Sequence, residues 1–402
     1  MRAMNRTFDL VLFGATGFTG RLCAEYLARA GELPVERWAL AGRSRTKLEE
    51  VRASLLAIDA RFASLAVIEA SSDDLTSLRA MAAQTKVIAT TVGPYRLHGL
   101  PLVEACVAEG THLCDITGEP EFVAETLARF DEAARAKGVA VVSTCGFDSV
   151  PHDFGAWVAV RALPASDEPT KVHGLVWAKG DFSGGTWQSA VGAMSRGRET
   201  REAVRRSRRA LANGRKVGSA KEGLHFEKRV GAWAVPLPTI DPAVVLRSAA
   251  DLPEYGPNFR YGHYAKVKSL ATVAGAGVFL GGVAALAQVP ATRAWLLKQR
   301  GSGEGPAPER RARNRFEVRF FAERGGARSE VIVSGRDPGY DETAKMLAEA
   351  ALCLAHDDAT RPAKSGVLTP VVALGDAYLT RLRRAGIGFE VREGRTPWNG
   401  HA

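Results

Sequence analysis

Short apolar runs alternate with stretches of helical periodicity through the first 150 residues of the chain. The runs are continuously apolar, which is typical of parallel strands with helices on both faces of the sheet. They read FDLVLF, RWALAG, SLAVIEA, KVIATTV, THLCDIT and VAVVSTC. The repeated order of strand and helix predicts an α/β fold built on a doubly wound parallel sheet.

The pattern changes after residue 155. KVHGLVWAKG is strand-like, and RFEVRFFAERGGARSEVIVSG alternates polar and apolar residues around a Gly-Gly pair, which predicts a β-hairpin. DPGYDETAKMLAEAALCLA has the spacing of an amphipathic helix, with Asp337 or Asp341 as its N-cap. A last helix is predicted near Pro370 to Arg384. Helices and strands are therefore mixed in the second half of the chain.

Three glycines separate the first strand from the first helix, in the sequence FGATGFTGRL. Gly14 allows a sharp turn off the strand, Gly17 lets the backbone approach a pyrophosphate, and Gly20 lets the helix pack closely. Free N–H groups and the helix dipole attract anions to this point. The order of strand, turn and helix favours a Rossmann-type dinucleotide site, and the alternative is a tight turn without a ligand. The predicted cofactor contacts are Gly14, Ala15, Thr16, Gly17, Phe18, Thr19 and Gly20.

The end of the second strand indicates which dinucleotide is bound. An NAD site usually places Asp or Glu there to hold the ribose 2′-hydroxyl, whereas this chain has Arg43 and Ser44. These residues can meet a 2′-phosphate, so the predicted cofactor is NADPH, and the alternative is a solvated basic turn. After the fourth strand, Val92, Gly93 and Pro94 are predicted to line the nicotinamide side.

Three side chains are the candidates for catalytic proton transfer. Tyr95 and His98 follow the fourth strand directly, and Asp148 lies in CGFDSVPHD after the sixth strand. Loops at the carboxyl ends of parallel strands are where ligands bind, which places all three near the substrate. His98 could instead be a surface residue, and Asp115 at the end of the fifth strand could be purely structural. Cys145 has no base near it in sequence, so a nucleophilic role is not favoured.

The charge of the chain is uneven. Its formal net charge is +10, and residues 196–216 hold nine Lys or Arg against two Glu. Such a patch suits an anionic membrane surface, an acidic protein or a nucleic acid. No nucleic-acid-binding module is recognisable, so nucleic acid is not an expected partner.

The five cysteines show no CxxC or metal-ligand spacing, so neither a disulfide framework nor a metal site is expected.

Several blocks of sequence together resemble the saccharopine dehydrogenase-like oxidoreductases, and within them the trans-acting enoyl reductases. The blocks are GATGFTG, AGRS, TTVGPYRLHGLPLVEACVAEGTHLCDITGE, CGFDSVPHD and GVLTPVVALGDAYLTRLRRAGI. They extend over nearly the whole chain. The block from TTVGPY to DITGE is far more specific than the glycine turn.

The resemblance implies a Rossmann domain with a second, α+β domain inserted in it. The expected boundaries are residues 1–155 for the NADP-binding domain and 156–335 for the inserted substrate or dimer domain. Residues 336–402 are then a segment that returns to the first domain. The resemblance also places the loop of Asp148 at the cleft between the domains.

The activity that the resemblance implies is NADPH-dependent saturation of an enoyl group on a polyketide-derived lipid. The expected partners are a lipid or acyl substrate and the synthase or carrier protein that presents it. Saccharopine-type enzymes act instead on an amino-acid imine, which is the first alternative. No arginine pair suited to a dicarboxylic amino acid is evident, which mildly favours the lipid. A third interpretation is a lipid-associated NADP-binding protein without turnover.

Residues 269–292 contain no charged residue over 24 positions. A helix rising about 1.5 Å per residue would be long enough to cross a bilayer, although its many alanines and glycines give a modest apolar drive. The favoured expectation is a buried element of the core or of a homodimer, and the second is an element facing lipid. The N-terminal apolar run is too short for a signal peptide, so a cytoplasmic protein with peripheral contact to the plasma membrane is expected.

Overall fold

The first half of the chain forms a parallel sheet of the predicted kind. The computed structural model describes residues 6–180, 191–192, 202, 215–220, 222–298 and 305–393. The strands of this sheet are β1 (Phe8–Phe13), β2 (Trp38–Gly42), β3 (Ala66–Glu69), β4 (Thr85–Thr90), β5 (His112–Asp115), β6 (Ala140–Val142) and β14 (Gly366–Leu368). Among the described residues these seven strands pair in the order β14-β6-β5-β4-β1-β2-β3, all parallel. The predicted Rossmann-type fold is confirmed.

Both faces of this sheet are covered, which explains why its strands are continuously apolar. In β1, Leu10 and Leu12 face one core, whereas Val11 and Phe13 face the other. The helices that follow the strands are α1 (Phe18–Ala30), α2 (Arg45–Leu55), α3 (Leu75–Ala83), α4 (Tyr95–Glu109) and α5 (Pro120–Lys137). Short 3₁₀ turns at Val35–Arg37 and Ala60–Ser64 precede β2 and β3.

A second, mixed sheet follows. Its strands are β7 (Thr170–Lys179), β8 (Lys216–Ser219), β9 (His225–Glu227), β10 (Ala232–Pro236), β11 (Asn258–Val267), β12 (Arg315–Arg324), β13 (Ala327–Gly335) and β15 (Gly388–Glu393). They pair in the order β15-β13-β12-β7-β11-β10-β9, with β8 also on β11. The remaining helices in the described part of the chain are α6 (Val150–Arg161), α7 (Asp241–Asp251), α8 (Leu270–Gln288), α9 (Pro290–Lys298), α10 (Pro308–Arg311), α11 (Asp341–His356) and α12 (Pro370–Arg384), with a 3₁₀ turn at Pro253–Tyr255. The second, α+β part of the predicted fold is therefore present.

The hairpin and the helix predicted near its end are both observed. Gly325 and Gly326 turn the chain between β12 and β13 with φ angles of +53° and +83°, which favour glycine. The N-cap of α11 is Tyr340, so neither Asp337 nor Asp341 occupies the predicted position. Asp337 nevertheless stabilises the start of the helix, because its carboxylate accepts bonds from the backbone N–H groups of Tyr340 and Asp341 at 2.9 and 3.2 Å.

The end of the chain contributes to both sheets. β14 pairs with β6 in the first sheet, and β15 pairs with β13 in the second. Helix α6 packs on β12 and β13 of the second sheet and on the helices α7 and α12. A single core cluster therefore includes residues of both sheets. The domain boundaries at residues 155 and 335 remain predictions.

Helix α8 corresponds to the uncharged stretch, and it is mostly exposed. Val283 and Ala287 pack against Val191 and Leu296, whereas Leu286 remains 41% exposed. The expectation that this stretch is buried in the core is therefore wrong. None of the helices that the structure describes is both long and apolar enough to span a membrane. Most of the basic patch at 196–216 lies outside the described residues.

Asp9 on β1 ties three segments of the first sheet together. Its carboxylate accepts bonds from the Arg37 guanidinium at 2.9 and 2.7 Å and contacts the Lys86 ammonium at 2.6 Å. Burial by itself would raise the pKa of Asp9, but the two cations outweigh it and lower the pKa to about 2.

Replacing Asp9 with Asn should lower the unfolding free energy by about 1–2 kcal/mol at neutral pH, because the depressed pKa favours the folded state. The carboxylate contributes this stability above its unfolded pKa of about 3.9 and loses it as the pH falls through its folded value. The difference between wild type and D9N in urea unfolding should therefore shrink in acid. Asp376→Asn, which breaks an exposed pair with Arg161, is the control and should matter much less. Equal stability of D9N and wild type at neutral pH would contradict this account.

Candidate active site

The glycine turn between β1 and α1 has two positions that packing requires to be glycine. Gly14 has a φ of +89°, and a Cβ there would lie 2.8 Å from the side chains of Thr91 and Val92. A Cβ on Gly20 would lie 2.2 Å from the carbonyl oxygen of Gly14. Gly17, the N-cap of α1, has more room, since a Cβ would be 3.4 Å from the same oxygen. Packing does not demand glycine at position 17, so close approach of a ligand is the better reason for it.

The remaining residues of the turn present mainly backbone. The half-buried ones are Thr16, Gly17, Phe18 and Thr19, and Ala15 is buried. The Phe18 ring packs edge-on against Tyr340, with 4.8 Å between centroids, and the Arg311 guanidinium lies 5.3 Å from it. Because the Phe18 ring is held by these neighbours, the predicted pyrophosphate contact rests on the N–H groups of the turn and of the first turn of α1.

The end of β2 carries an exposed cation. Arg43 is exposed and has no ion-pair partner among the residues that the structure describes. Ser44 is the N-cap of α2, and its hydroxyl accepts a bond from the Lys47 N–H at 3.4 Å. Arg45, by contrast, pairs with Glu49 at 3.2 Å. Arg43 thus fits the 2′-phosphate of NADP, and Ser44 starts the helix beside it.

His98 lies on the adenosine side of the sheet. Its Nδ1 is 3.3 Å from the Ser72 hydroxyl and 3.6 Å from Asp73, in the loop that follows β3. In a doubly wound fold the strands β2 and β3 serve the adenosine half, and β4 to β6 serve the nicotinamide half. His98 therefore contacts the loop after β3, and its role in proton transfer stays a prediction.

Tyr95 is committed to the backbone. Its buried hydroxyl donates to the Thr90 carbonyl at 3.0 Å and accepts from the Ile116 N–H at 3.4 Å. Burial, followed by the charge of Asp115, raises the pKa of this hydroxyl well above its usual value. Tyr95 therefore joins the ends of β4 and β5, and its geometry does not favour the proton-donor role predicted from the sequence.

Glu119 holds the turn that should line the nicotinamide. Its carboxylate accepts bonds from the N–H groups of Tyr95 and Arg96, each at 3.0 Å, and so caps α4. Val92 and Pro94 are half-buried and Gly93 is exposed directly before this cap, with a cis bond between Gly93 and Pro94. Glu119 is not among the site residues predicted from the sequence, although it stands in the DITGE block of the resemblance.

Asp115 fastens the ends of β5 and β6 to each other. Its carboxylate accepts bonds from the Ser143 hydroxyl at 2.8 Å and from the Thr117 and Thr144 N–H groups at 2.9 and 3.2 Å. Burial raises the pKa of Asp115 to about 6 against the effect of these bonds. Cys145 is buried nearby, and burial raises its pKa well above the usual value, which disfavours the thiolate. Both residues therefore have structural roles.

Asp148 lies where the two sheets meet. The preceding Phe147 ring packs on Phe316 of β12, with 4.9 Å between centroids, and its N–H donates to the Thr343 hydroxyl at 3.1 Å. The Asp148 carboxyl is half-buried and lies near Gly118, beyond the end of β5. Burial, and then the Asp241 carboxylate, raise the pKa of Asp148 to about 7, although His152 opposes them. Of the three predicted proton donors, Asp148 is the one on the nicotinamide side with an accessible polar group.

Beneath this loop lies a polar cluster that sequence reasoning missed. His152 in α6 is 3.2 Å from Asp241 at the start of α7, and His263 in β11 is 3.3 Å from the other oxygen of that carboxylate. Burial opposes the charge on Asp241, but the two imidazoles lower its pKa well below the usual range. The sequence carries no local signal for the cluster, because its members come from three distant segments.

Comparison with known proteins assigns the chain. A family profile described as the saccharopine dehydrogenase NADP binding domain matches residues 10–142. The trans-acting enoyl reductases of Mycobacterium bovis and Mycobacterium tuberculosis are 33% identical over 420 residues, which cover 96% of this chain and 98% of each relative. A further Mycobacterium tuberculosis protein named for the same activity is 35% identical over 419 residues, covering 97% of this chain and 99% of that protein.

A solved structure shows the same fold. Apo saccharopine dehydrogenase (L-Glu forming) from Saccharomyces cerevisiae superposes with a TM-score of 0.55 at 13% identity, covering 96% of this chain and 100% of the yeast one. The glycine turn and Arg43 fit NADP, which the matched profile names. The chain therefore belongs to the saccharopine dehydrogenase-like oxidoreductases, in the group that includes the trans-acting enoyl reductases, and it is an NADP-dependent oxidoreductase.

Proposed function

We propose that this protein is an NADPH-dependent enoyl reductase acting on the acyl chain of a lipid or polyketide. The observation that carries the proposal is the similarity over nearly the full length to trans-acting enoyl reductases, which extends through the inserted region as well as the cofactor domain. The word trans-acting in the names of those relatives supports a substrate presented by a separate synthase or carrier protein. Saccharopine dehydrogenase shares the fold at low identity, which supports no substrate assignment.

Two groups of residues serve the reaction: one holds the phosphates of the cofactor, and the other borders the nicotinamide and the substrate. When bound, NADPH supplies the hydride that adds to the β-carbon of the enoyl group. The turn from Gly14 to Gly20, together with Arg43, holds the phosphates, and the Val92–Pro94 turn, fixed by Glu119, borders the nicotinamide. Asp148 donates the proton that the α-carbon receives. Most of the rate enhancement then comes from orientation in the cleft, to which general acid catalysis by one carboxyl adds.

Asp148→Asn should lower kcat for an enoyl thioester by about 100-fold or more, because the amide cannot donate a proton as an acid. The affinity for NADPH should stay close to that of wild type, which a fluorescence titration measures. Tyr95→Phe is the matched comparison: it removes a hydroxyl that bonds only to backbone in the described structure, so turnover should persist. If D148N keeps wild-type turnover, or if Y95F loses it, another group supplies the proton.

The same assay separates the competing activities. Loss of NADPH absorbance is followed with a panel of enoyl thioesters, and separately with amino acids combined with oxo acids that form imines. Turnover of the thioesters alone supports the proposal. Turnover of the imines alone would establish a saccharopine-type dehydrogenase, and intact NADPH binding without any turnover would establish a binding protein; either result overturns the enoyl reductase assignment.

Arg43→Ala should weaken NADPH binding by roughly tenfold to a hundredfold, as expected for a lost charge-assisted bond to phosphate. Binding of NADH, which lacks the 2′-phosphate, should change little. Arg45→Ala is the matched control, because Arg45 is exposed and pairs with Glu49. Titration of wild type, R43A and R45A with each of the two cofactors measures both effects, and unchanged NADPH affinity in R43A would refute the assignment of the 2′-phosphate site.

We further propose that α8 and α9 bind the surface of an anionic lipid bilayer. Helix α8 is apolar on every side. A groove on a partner protein would cover only one face of such a helix, whereas a bilayer surface can accommodate more of it. Leu286 and Trp295 are 41% and 55% exposed on the two helices. Trp is favoured at membrane interfaces, and the exposed Lys268 and the half-buried Arg293 flank α8 with positive charge.

Co-sedimentation with phosphatidylglycerol vesicles tests this surface. Wild-type protein should bind at low salt and bind less at high salt, and Leu286→Glu should reduce binding at least tenfold because a charge enters the apolar surface. Leu56→Glu is the control, since Leu56 is similarly exposed, at 43%, beside α2 in the first domain. No binding by wild type at low salt would sink the proposal. Self-association that L286E abolishes, without vesicle binding, would identify a second copy of the chain as the occupant instead.

A further inference from the structure

The polar cluster beneath the Asp148 loop has no part in the proposed reaction. His152 lies in the first turn of α6, Asp241 begins α7, and His263 lies in β11. The exposed fractions of the three residues are 1%, 1% and 6%, so the cluster is shut off from solvent. One ring nitrogen from each histidine and one carboxylate oxygen lie within 4.8 Å of one another. Three groups that carry lone pairs thus converge in the interior.

The converging atoms lack ordinary hydrogen bonds. Among the described residues, no aligned partner is found for either ring nitrogen of His152, for Oδ1 of Asp241 or for Nε2 of His263. The imidazoles do approach the Asp241 carboxylate to 3.2 and 3.3 Å, but neither contact has hydrogen-bond geometry. Burying such groups without partners is unfavourable, so the arrangement favours a group that all three can share.

Other atoms of two of these side chains are already held in place. The Tyr261 hydroxyl lies 3.2 Å from Nδ1 of His263, and the Thr239 hydroxyl donates to Oδ2 of Asp241 at 2.6 Å. Outer contacts of this kind orient the ligands of protein metal sites and fix the tautomer of the histidine. They leave Nε2 of His263 and Oδ1 of Asp241 as the atoms directed to a shared group.

The electrostatic surroundings of the cluster favour a cation. Asp148 interacts with both Asp241 and His152, and Asp153 also interacts with His152. Three carboxylates therefore lie in or next to the cluster. Arg247 is a cation whose charge acts on Asp153. The Asp241 carboxylate is the negative charge that a divalent ion would offset in this buried region.

A second group of two histidines and a carboxylate provides an internal comparison. His173, His225 and Glu227 also converge within 4.8 Å. Here the Arg229 guanidinium already binds both oxygens of Glu227, at 2.8 and 2.6 Å. Burial lowers the pKa of His173 to about 4, helped by the charges of Lys171 and Arg229 and opposed by Glu222. The carboxylate is used and cations are nearby, so this second group is not suited to a metal ion.

We propose that His152, Asp241 and His263 bind a divalent first-row transition metal ion such as Zn²⁺. Two imidazoles and one carboxylate are a donor set that such ions accept in proteins. Because the ligands come from α6, α7 and β11, the ion links three elements beneath the Asp148 loop and stabilises that region. The sequence predicted no metal site, because that expectation rested on the spacing of the cysteines. Cysteine spacing says nothing about histidines that are distant in sequence. The proposal does not depend on the enoyl reductase activity.

Metal binding by the purified wild-type chain tests the proposal directly. Protein treated with a chelator and checked for folding by circular dichroism is titrated with Co²⁺, whose visible absorption reports nitrogen and oxygen ligands. One equivalent should bind and produce the bands, Zn²⁺ should displace them, and elemental analysis should find one metal per chain. Zn²⁺ should also raise the melting temperature of the treated protein, because it binds only the folded state.

Matched variants locate the site. His263→Gln should abolish the Co²⁺ bands and the Zn²⁺-dependent rise in melting temperature, whereas His225→Gln in the second group should keep both. Should H263Q fail to fold, the wild-type titration still decides the question. A folded, chelator-treated wild type that binds neither Co²⁺ nor Zn²⁺ would overturn the proposal, and so would bands that H263Q retains or that H225Q alone removes.

Discussion

The complete burial of α6, between the second sheet and the helices α7 and α12, is the constraint on which the rest of the structure depends. All its residues from Val150 to Val160 are buried. The helix lies so close to β12 that a Cβ on Gly155 would be 2.1 Å from the Phe320 ring. A helix with no solvent face must have apolar residues on every side, and FGAWVAV has them. Apolar residues of α6 therefore belong to the core cluster that also includes residues of both sheets.

This packing fixes the loop that precedes α6. The loop leaves the carboxyl end of β6, where a doubly wound sheet binds its ligand, and contacts the second sheet before the helix begins. Phe147 rests on Phe316, and the Phe147 N–H reaches Thr343. Asp148 is consequently positioned by residues of the second half of the chain. The residues on the adenosine side are positioned differently. Arg43 and Ser44 follow β2 directly, so contacts with distant parts of the chain are not needed to place them.

That difference explains how much the sequence could predict. The parallel sheet, the hairpin and the last helices follow from local periodicity, and the roles of Gly14 and Gly20 follow from a turn of seven residues. Side-chain direction is not a local property, so adjacency in sequence suggested that either Tyr95 or His98 donates a proton near the substrate. In α4 the Tyr95 hydroxyl turns to the Thr90 carbonyl and His98 turns to Ser72. Asp241 and His263 were missed, because only the folded chain brings them to His152. The expectation that residues 269–292 are buried in the core was wrong for another reason. Composition shows that a helix is apolar, but not whether the rest of the protein packs over it.

Two glycines of the turn between β1 and α1 are required by the fold, whereas the third is better explained by a bound ligand. Gly14 and Gly20 are required by contacts of 2.8 and 2.2 Å that any Cβ would make, with or without a cofactor. Gly17 has no such requirement, so it carries more of the evidence for a bound pyrophosphate than its neighbours do. The same reasoning applies across the molecule. Cofactor binding depends on local geometry at β1 and β2, whereas the position of Asp148 depends on packing between the sheets. A change of substrate in this fold therefore needs changes in the second half of the chain, while the cofactor turn can stay the same.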